Sequence, residues 1–243
     1  MQKKADHIVA ELSAYFKKVG ISKAVVGLSG GVDSALTAKL GVMALGKENV
    51  TALILPNEGV NKPQNVQDAV DWARELGIQS HVILINPFID AYEKLPWRSS
   101  SLAKMNIQAR VRMTLLYHYA NTHNAIVLGT GNKTELMLGY FTKHGDGATD
   151  ILPIGNLYKT DVWKMSEYLG LPEIIVHKTA SAELMRDQSD EEEIGLQYAE
   201  IDSILKKFEA GKKPSTEDEQ KLFDRMKANE HKNEGPPVIT FDN

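Results

Sequence analysis

Short, wholly apolar runs alternate along this chain with longer stretches in which apolar residues recur at helical spacing. The short runs are residues 24–28 (AVVGL), 51–55 (TALIL), 81–85 (HVILI) and 125–128 (AIVL). Their length and branched side chains predict strands buried on both faces, and the run near 150–154 is a candidate fifth. Between them the pattern predicts helices over 34–45, after Pro63 and over 103–120. The second of these carries Val66, Ala69, Val70, Ala73 and Leu76 on one face. Strands alternating with helices build βαβ units. The expected fold is therefore α/β, a three-layer Rossmann-like domain with a mostly parallel, doubly wound sheet. Such sheets bind ligands outside the carboxyl ends of their strands.

The pattern changes after about residue 177. HKTASAELMRDQSDEEEIG is polar and acidic, and reads as a loop leading into a helix near Ser189. There, SDEE sets carboxylates against the positive end of the helix dipole. AGKKPSTEDEQ separates the last two helices, and HKNEGPPVITFDN reads as a loop-like tail. The expected organisation is one unit over 1–243. It has a core over about 1–176, then a lid loop and C-terminal helices over about 177–243.

Composition narrows the chemistry. The chain has 243 residues, a net charge of −4 and no cysteine. Disulfides, thiolate metal sites and a cysteine nucleophile are excluded. A slightly acidic chain is a poor default binder of polyanions, so no nucleic-acid partner is expected. The start has no apolar core of signal-peptide length, and no run approaches the roughly 20 apolar residues that span a bilayer. The expectation is a cytoplasmic protein without a membrane partner. The seven histidines show no zinc spacing. Gly41 to Glu48 nearly spells a phosphate-binding Walker loop, but it ends in Glu and follows no strand, so Gly46 is better read as a helix C-cap.

The strongest signal is Ser29-Gly30-Gly31-Val32-Asp33-Ser34, directly after the first strand and before a helix. Two glycines let an anion approach backbone N–H groups, and the helix N-terminus adds positive potential. Ser29 and Ser34 supply hydroxyls. Asp33 would repel a phosphate directly and makes better sense holding Mg²⁺ against it. Thr130 follows the fourth strand at the sheet's carboxyl edge. Glu135 is either a hard oxygen ligand that completes a Mg²⁺ site with Asp33 or a first-turn helix carboxylate. Arg110 and Arg112 lie two apart, so one can face a ligand while the other pairs elsewhere.

GLSGGVDS resembles the signature loop of the N-type ATP pyrophosphatases. NIQARVRM (106–113), GTGNKTE (129–135), YFTKHGDG (140–147) with Asp150, LYKT (157–160), SAEL (181–184) with QSDE (188–191), and His231-Lys232 resemble segments of the ammonia-using NAD synthetases, in that family's order. The resemblance covers nearly the whole chain. It implies ATP contacts at Gly27, Leu28, Ser29, Gly30, Gly31, Val32, Asp33, Ser34, Thr130, Lys159 and Ser181. It implies deamido-NAD contacts at Arg110, Lys143, Asp150, His231 and Lys232, and Mg²⁺ at Asp33 and Glu135. It further implies a homodimer and an ATP-driven amidation. In that reaction the nicotinate carboxylate of deamido-NAD is adenylated and ammonia then displaces AMP. No stretch remains for a glutaminase domain, so ammonia is the expected nitrogen donor. Asp146 and Asp150 are candidates for taking a proton from ammonium. The alternatives are another enzyme of the superfamily, or a nucleotide-binding module without catalysis.

Overall fold

In the computed structural model, which describes residues 1–185 and 188–241, four strands form one parallel sheet. They are β1 (Lys23–Gly27), β2 (Val50–Ile54), β3 (Gln79–Val82) and β4 (Ala125–Leu128), in the order β3-β2-β1-β4. The chain winds outward through α2 (Val32–Leu45) and α3 (Pro63–Leu76), then returns to pair β4 with β1. This reversal places a topological switch point between β1 and β4.

Side-chain alternation splits the core into two layers. Ala24, Val26, Ala52, Ile54, Ile126 and Leu128 face a cluster shared with α1 (Gln2–Val19), α2 and α3. Val25, Leu53 and Val127 face the opposite way, against α4 (Asn86–Asp90) and α5 (Ser101–His123). A strand covered on both faces must be apolar throughout, which is why these runs lack polar alternation. The remaining helices are α6 (Lys133–Leu138), α7 (Lys159–Tyr168), α8 (Glu173–Val176), α9 (Asp190–Ile194), α10 (Tyr198–Glu209) and α11 (Glu217–Asn229). Leu138, Tyr158, Tyr198, Ile201, Leu205 and Leu222 make a third cluster that packs α6, α10 and α11 together. No helix among the described residues is long and apolar enough to cross a membrane.

Three local features depart from the sequence pattern. The third strand pairs over Gln79–Val82 instead of 81–85. The N–H groups of Ile83 and Ile85 still donate to Ile54 and Pro56, and these two side chains pack toward α5, but Val82 and Leu84 are exposed, so this edge run is not buried on both faces as expected. The candidate fifth strand is one bridge, Leu128 to Ile151; Pro153, two residues on, cannot donate to a ladder. The N-terminal stretch, for which no element was expected, is α1, buried through Ala5, Leu12 and Phe16. Gly46 does cap α2 at its C-terminus, and Ser189 is the N-cap of α9.

Candidate active site

β1 ends in the Ser29–Ser34 turn, which the two serines organise. Ser34 Oγ accepts from Ser29 N at 3.1 Å and donates to Gly31 O at 2.9 Å. Ser29 Oγ accepts from Gly31 N at 3.2 Å and lies 3.1 Å from Ser34 Oγ. Gly30 has φ +83°, and a Cβ there would sit 2.2 Å from the carbonyl oxygen of Asn65 on α3. Only glycine fits both the backbone angle and the gap. The turn opens into a cavity of about 860 Å³ at the carboxyl edge of the sheet.

Asp33, one residue inside α2, accepts from Asn132 Nδ2 at 2.9 Å and from Lys159 Nζ at 2.5 Å. Lys159 Nζ is also 3.8 Å from Glu135 Oε1, and its side chain is only 2% exposed. Glu135 and Asn132 form a capping box at the start of α6: Asn132 Oδ1 accepts from Glu135 N, and Glu135 Oε2 accepts from Asn132 N. Glu135 is a first-turn helix carboxylate whose Oε2 caps the helix, while Oε1 is turned toward Lys159. Burial and the charge of Asp33 push the Glu135 carboxyl above its ordinary range, against the pull of Lys159. Burial alone would lower Lys159, but Asp33 and Glu135 outweigh it and hold the ammonium above its usual value.

Asp33 and Glu135 converge on the Lys159 ammonium, and two neighbouring carboxylates are oxygen donors of the kind Mg²⁺ takes. No group of three or more His, Cys, Asp or Glu among the described residues is arranged to hold a metal. Asp33 and Glu135 would supply the oxygen donors of an ion that takes one or two carboxylates and completes its shell with phosphate oxygens and water.

Residues 178–184 lie over the cavity, fastened at several points. Lys178 Nζ donates to Gly30 O at 2.8 Å and to the buried Asp68 of α3 at 2.5 Å. Glu183, at a left-handed φ of 47°, accepts from Asn61 Nδ2 at 2.9 Å and from Asn65 Nδ2. Gln108 of α5 donates to Leu184 O at 2.9 Å. Asp190, 3% exposed, accepts from Ala182 N, Tyr140 Oη and Tyr198 Oη, each at 3.1 Å. This segment ends where residues 186 and 187 lie outside the described chain.

The expected site residues fall into two groups. Gly27, Leu28, Ser29, Gly31, Val32, Asp33, Ser34, Thr130, Glu135, Lys159, Ser181 and Lys232 line the cavity, and Gly30 stands just behind the turn. Arg110, Lys143, Asp150 and His231 do not line it. Arg110 Nη2 donates to Lys143 O at 3.2 Å, and Lys143 Nζ donates to His231 O. These three form a chain on the outer side. Asp150 accepts from Val127 N at 2.8 Å and Tyr117 Oη at 3.1 Å, fixing the end of β4. Lys232 Nζ donates to the carbonyls of Gly139 and Phe141 at 2.7 and 3.1 Å. It is anchored in a short 3-10 turn, Glu230–Lys232, and Asn233 Nδ2 donates to Leu136 O close by.

Arg112 is the cavity residue that spacing alone left unassigned. Its Nε donates to Leu55 O at 2.9 Å and its Nη2 to Asn61 Oδ1 at 3.1 Å. Burial pulls its pKa down to about 10, against the opposing charges of Glu183 and Asp146. Asp146 lines the same cavity and accepts from Thr142 N at 2.9 Å. Solvent reaches it through the cavity, yet protein surrounds it, and that desolvation raises its pKa. The two-residue offset from Arg110 was the available signal for Arg112. It does not say which side faces inward.

A parallel sheet wound outward from a switch point, with a serine- and glycine-built turn facing a cavity at its carboxyl edge, defines a nucleotide-binding α/β protein. The chain belongs to the NAD synthase family, whose model matches residues 4–236. It is 48% identical over 219 residues to an NH(3)-dependent NAD(+) synthetase from Archaeoglobus fulgidus, covering 90% of this chain and 89% of that one. An NMN synthetase from Francisella tularensis superposes with TM-score 0.91 at 38% identity, covering 99% and 98% of the two chains. An NH3-dependent NAD synthetase from Campylobacter jejuni, solved with a nitrate ion, superposes with TM-score 0.85 at 33% identity, covering 98% of each.

Proposed function

We propose that this chain is a cytoplasmic, ammonia-dependent NAD synthetase. It adenylates the nicotinate carboxylate of deamido-NAD with ATP, releases pyrophosphate, and lets ammonia displace AMP. The observation that carries this reading is the convergence of Asp33, Glu135 and Lys159 beside the Ser29–Ser34 turn at the mouth of one cavity, in a chain of this family.

A carboxylate oxygen is a poor leaving group, which is why the acyl carbon must first be activated. Displacement at the α-phosphorus gathers negative charge on the departing pyrophosphate. The N–H groups at the start of α2 and the Lys159 ammonium are placed to receive it, and the Ser29 and Ser34 hydroxyls, bonded within the turn, hold its shape. Thr130 and Ser181 hold the nucleotide from the sheet edge and the lid. Mg²⁺, held by Asp33 and Glu135, would neutralise phosphate charge in the same place. Asp146 is the better of the two candidate bases for ammonium, since it faces the cavity with a raised pKa while both Asp150 oxygens accept hydrogen bonds.

Arg110, Lys143, Asp150, His231 and Lys232 are assigned to deamido-NAD, and the whole chain acts as one unit. Four of the five lie outside the cavity, and Arg110, Lys143 and His231 are linked on the outer side. That placement favours a homodimer in which a second subunit completes the dinucleotide site. A sedimentation run showing only monomer at micromolar concentration would count against the dimer.

The testing experiment incubates the protein with ATP, Mg²⁺ and deamido-NAD, with ammonium chloride in one tube and glutamine in another. NAD and AMP with ammonium alone support the reading. Nicotinate mononucleotide goes into a third tube, because one close structural relative is an NMN synthetase. A strong preference for the mononucleotide there would move the substrate assignment. No product in any tube from folded protein would overturn the function.

A further inference from the structure

Lys159 is held from behind by α10, a helix whose contact residues stay outside the cavity. Asp202 is 1% exposed; its Oδ1 accepts from Thr134 Oγ1 at 2.5 Å and its Oδ2 from Thr160 N at 2.8 Å. Thr134 Oγ1 in turn accepts from Lys159 N at 3.0 Å. One buried carboxylate therefore ties down the first two amides of α7, one directly and one through Thr134. It also sits where the helix dipole favours a negative charge. Thr134 immediately precedes Glu135, so the same bonds register α6 against α7.

One turn earlier on α10, Tyr198 is fully buried, and its ring centroid lies 5.1 Å from Lys159 Nζ. Its hydroxyl donates to Asp190, which also accepts from Ala182 N beside Ser181 in the lid. Thus Asp202 holds the backbone of Lys159, and Tyr198 holds its ammonium and connects it to the lid. None of Thr134, Tyr198 and Asp202 lines the cavity.

We infer that Asp202, acting through Thr134, and Tyr198 are positioning residues for Lys159, setting its ammonium for the phosphates and carrying lid position to it. The inference rests on the reading that Lys159 meets ATP phosphates. A buried hydroxyl with two polar partners and a tyrosine stacked on an ammonium are more than helix packing requires. Apolar side chains would fill the same volume.

The test compares Thr134→Val, Thr134→Ser, Asp202→Asn and Tyr198→Leu in the full chain, each alone and with Lys159→Met. Two readouts are used: Mg·ATP affinity by calorimetry, and pyrophosphate release with deamido-NAD and ammonia. Thr134→Val and Tyr198→Leu should each lower pyrophosphate release about tenfold, the scale of one charge-assisted contact. Mg·ATP binding should weaken with it, while KM for deamido-NAD and ammonia stays at the wild-type value. Thr134→Ser should restore the rate. With Lys159→Met, the same changes should cost no further Mg·ATP affinity. Wild-type rates for Thr134→Val would overturn the inference, and so would losses that persist undiminished beside Lys159→Met or spread over all three substrates. If Lys159→Met itself binds and turns over ATP normally, the reading of Lys159 fails instead. Should Asp202→Asn or Tyr198→Leu not fold, the near-isosteric Thr134 pair decides.

Discussion

Lys159 Nζ lies 2.5 Å from Asp33 Oδ2, and the two residues are 126 positions apart in the chain. Their approach joins the first helix after β1 to the helix that follows the Gly-rich segment. The pair sets one ammonium against one carboxylate in the cavity wall, with the Glu135 carboxyl 3.8 Å away. Asp33→Asn should leave the fold intact and cut pyrophosphate release by about 100-fold or more, as loss of a transition-state electrostatic contact does. Pyrophosphate release measured beside circular dichroism checks this. Normal turnover would remove Asp33 from the metal assignment.

Glu135 offers a pH test of stability. Its folded pKa is raised, chiefly by burial and then by Asp33, so the fold binds its proton more tightly than the unfolded chain does. Its contribution is fully present below the ordinary glutamate value and is lost as pH rises through the raised one. The melting temperature of wild type relative to Glu135→Gln should therefore fall from acid to alkaline pH in the absence of Mg²⁺. A difference that is flat with pH would contradict the burial of an unfavourable charge.

Gly30→Ala should be costly twice over. The left-handed φ of +83° strains any side chain, and the added carbon would strike the Asn65 carbonyl, which is backbone and cannot swing aside. A loss of about 1–3 kcal/mol is expected from the strain alone. ATP affinity should drop as well. Chemical denaturation and nucleotide titration read the two effects separately, and an unchanged affinity would mean the turn tolerates displacement.

The lid is fastened through side chains that can be removed singly. Burial would raise Asp68, but hydrogen bonds from Lys178 and Gln64 outweigh it and leave its pKa below the usual aspartate value. This contribution is present above the ordinary value and is lost as pH falls through the lowered one. Asp68→Asn should loosen the clasp on Lys178, and protease cleavage after Lys178 should quicken several-fold, the consequence of about 1 kcal/mol. An ATP analogue should slow that cleavage again. Equal cleavage rates in both proteins would show that the remaining contacts, through Gly30, Glu183, Gln108 and Asp190, hold the segment without Asp68.

Much of the molecule was legible from residue pattern. Three of the apolar runs announced strands buried on both faces, the third being a half-exposed edge, and SGGVDS after the first of them marked the cavity edge. These signals are local, because burial on two faces and a tight turn each need particular residues at adjacent positions. Gly46 and Ser189 were legible for the same reason, since caps are defined by one residue's backbone needs. The third strand slid because an edge strand pairs through its backbone, to which the polar Gln79 and Ser80 contribute as well as any apolar residue. The candidate fifth strand shrank to one bridge because Pro153 lacks the donor a ladder requires.

What the sequence by itself determined, then, was the α/β class, the Ser29–Ser34 turn at the cavity and the family. Only the tertiary structure decided that Arg112 turns inward while Arg110 reaches Lys143 on the outside, since a two-residue offset on a helix fixes the divergence but not its direction. Only it brought Asp33 and Lys159 into contact, and set Asp202 behind Thr134 and Lys159. These are pairings between segments tens to more than a hundred residues apart. They arise when the first apolar cluster packs α7 on α2 and the third packs α10 and α11 beside α6, long-range events that leave no periodic trace in the chain.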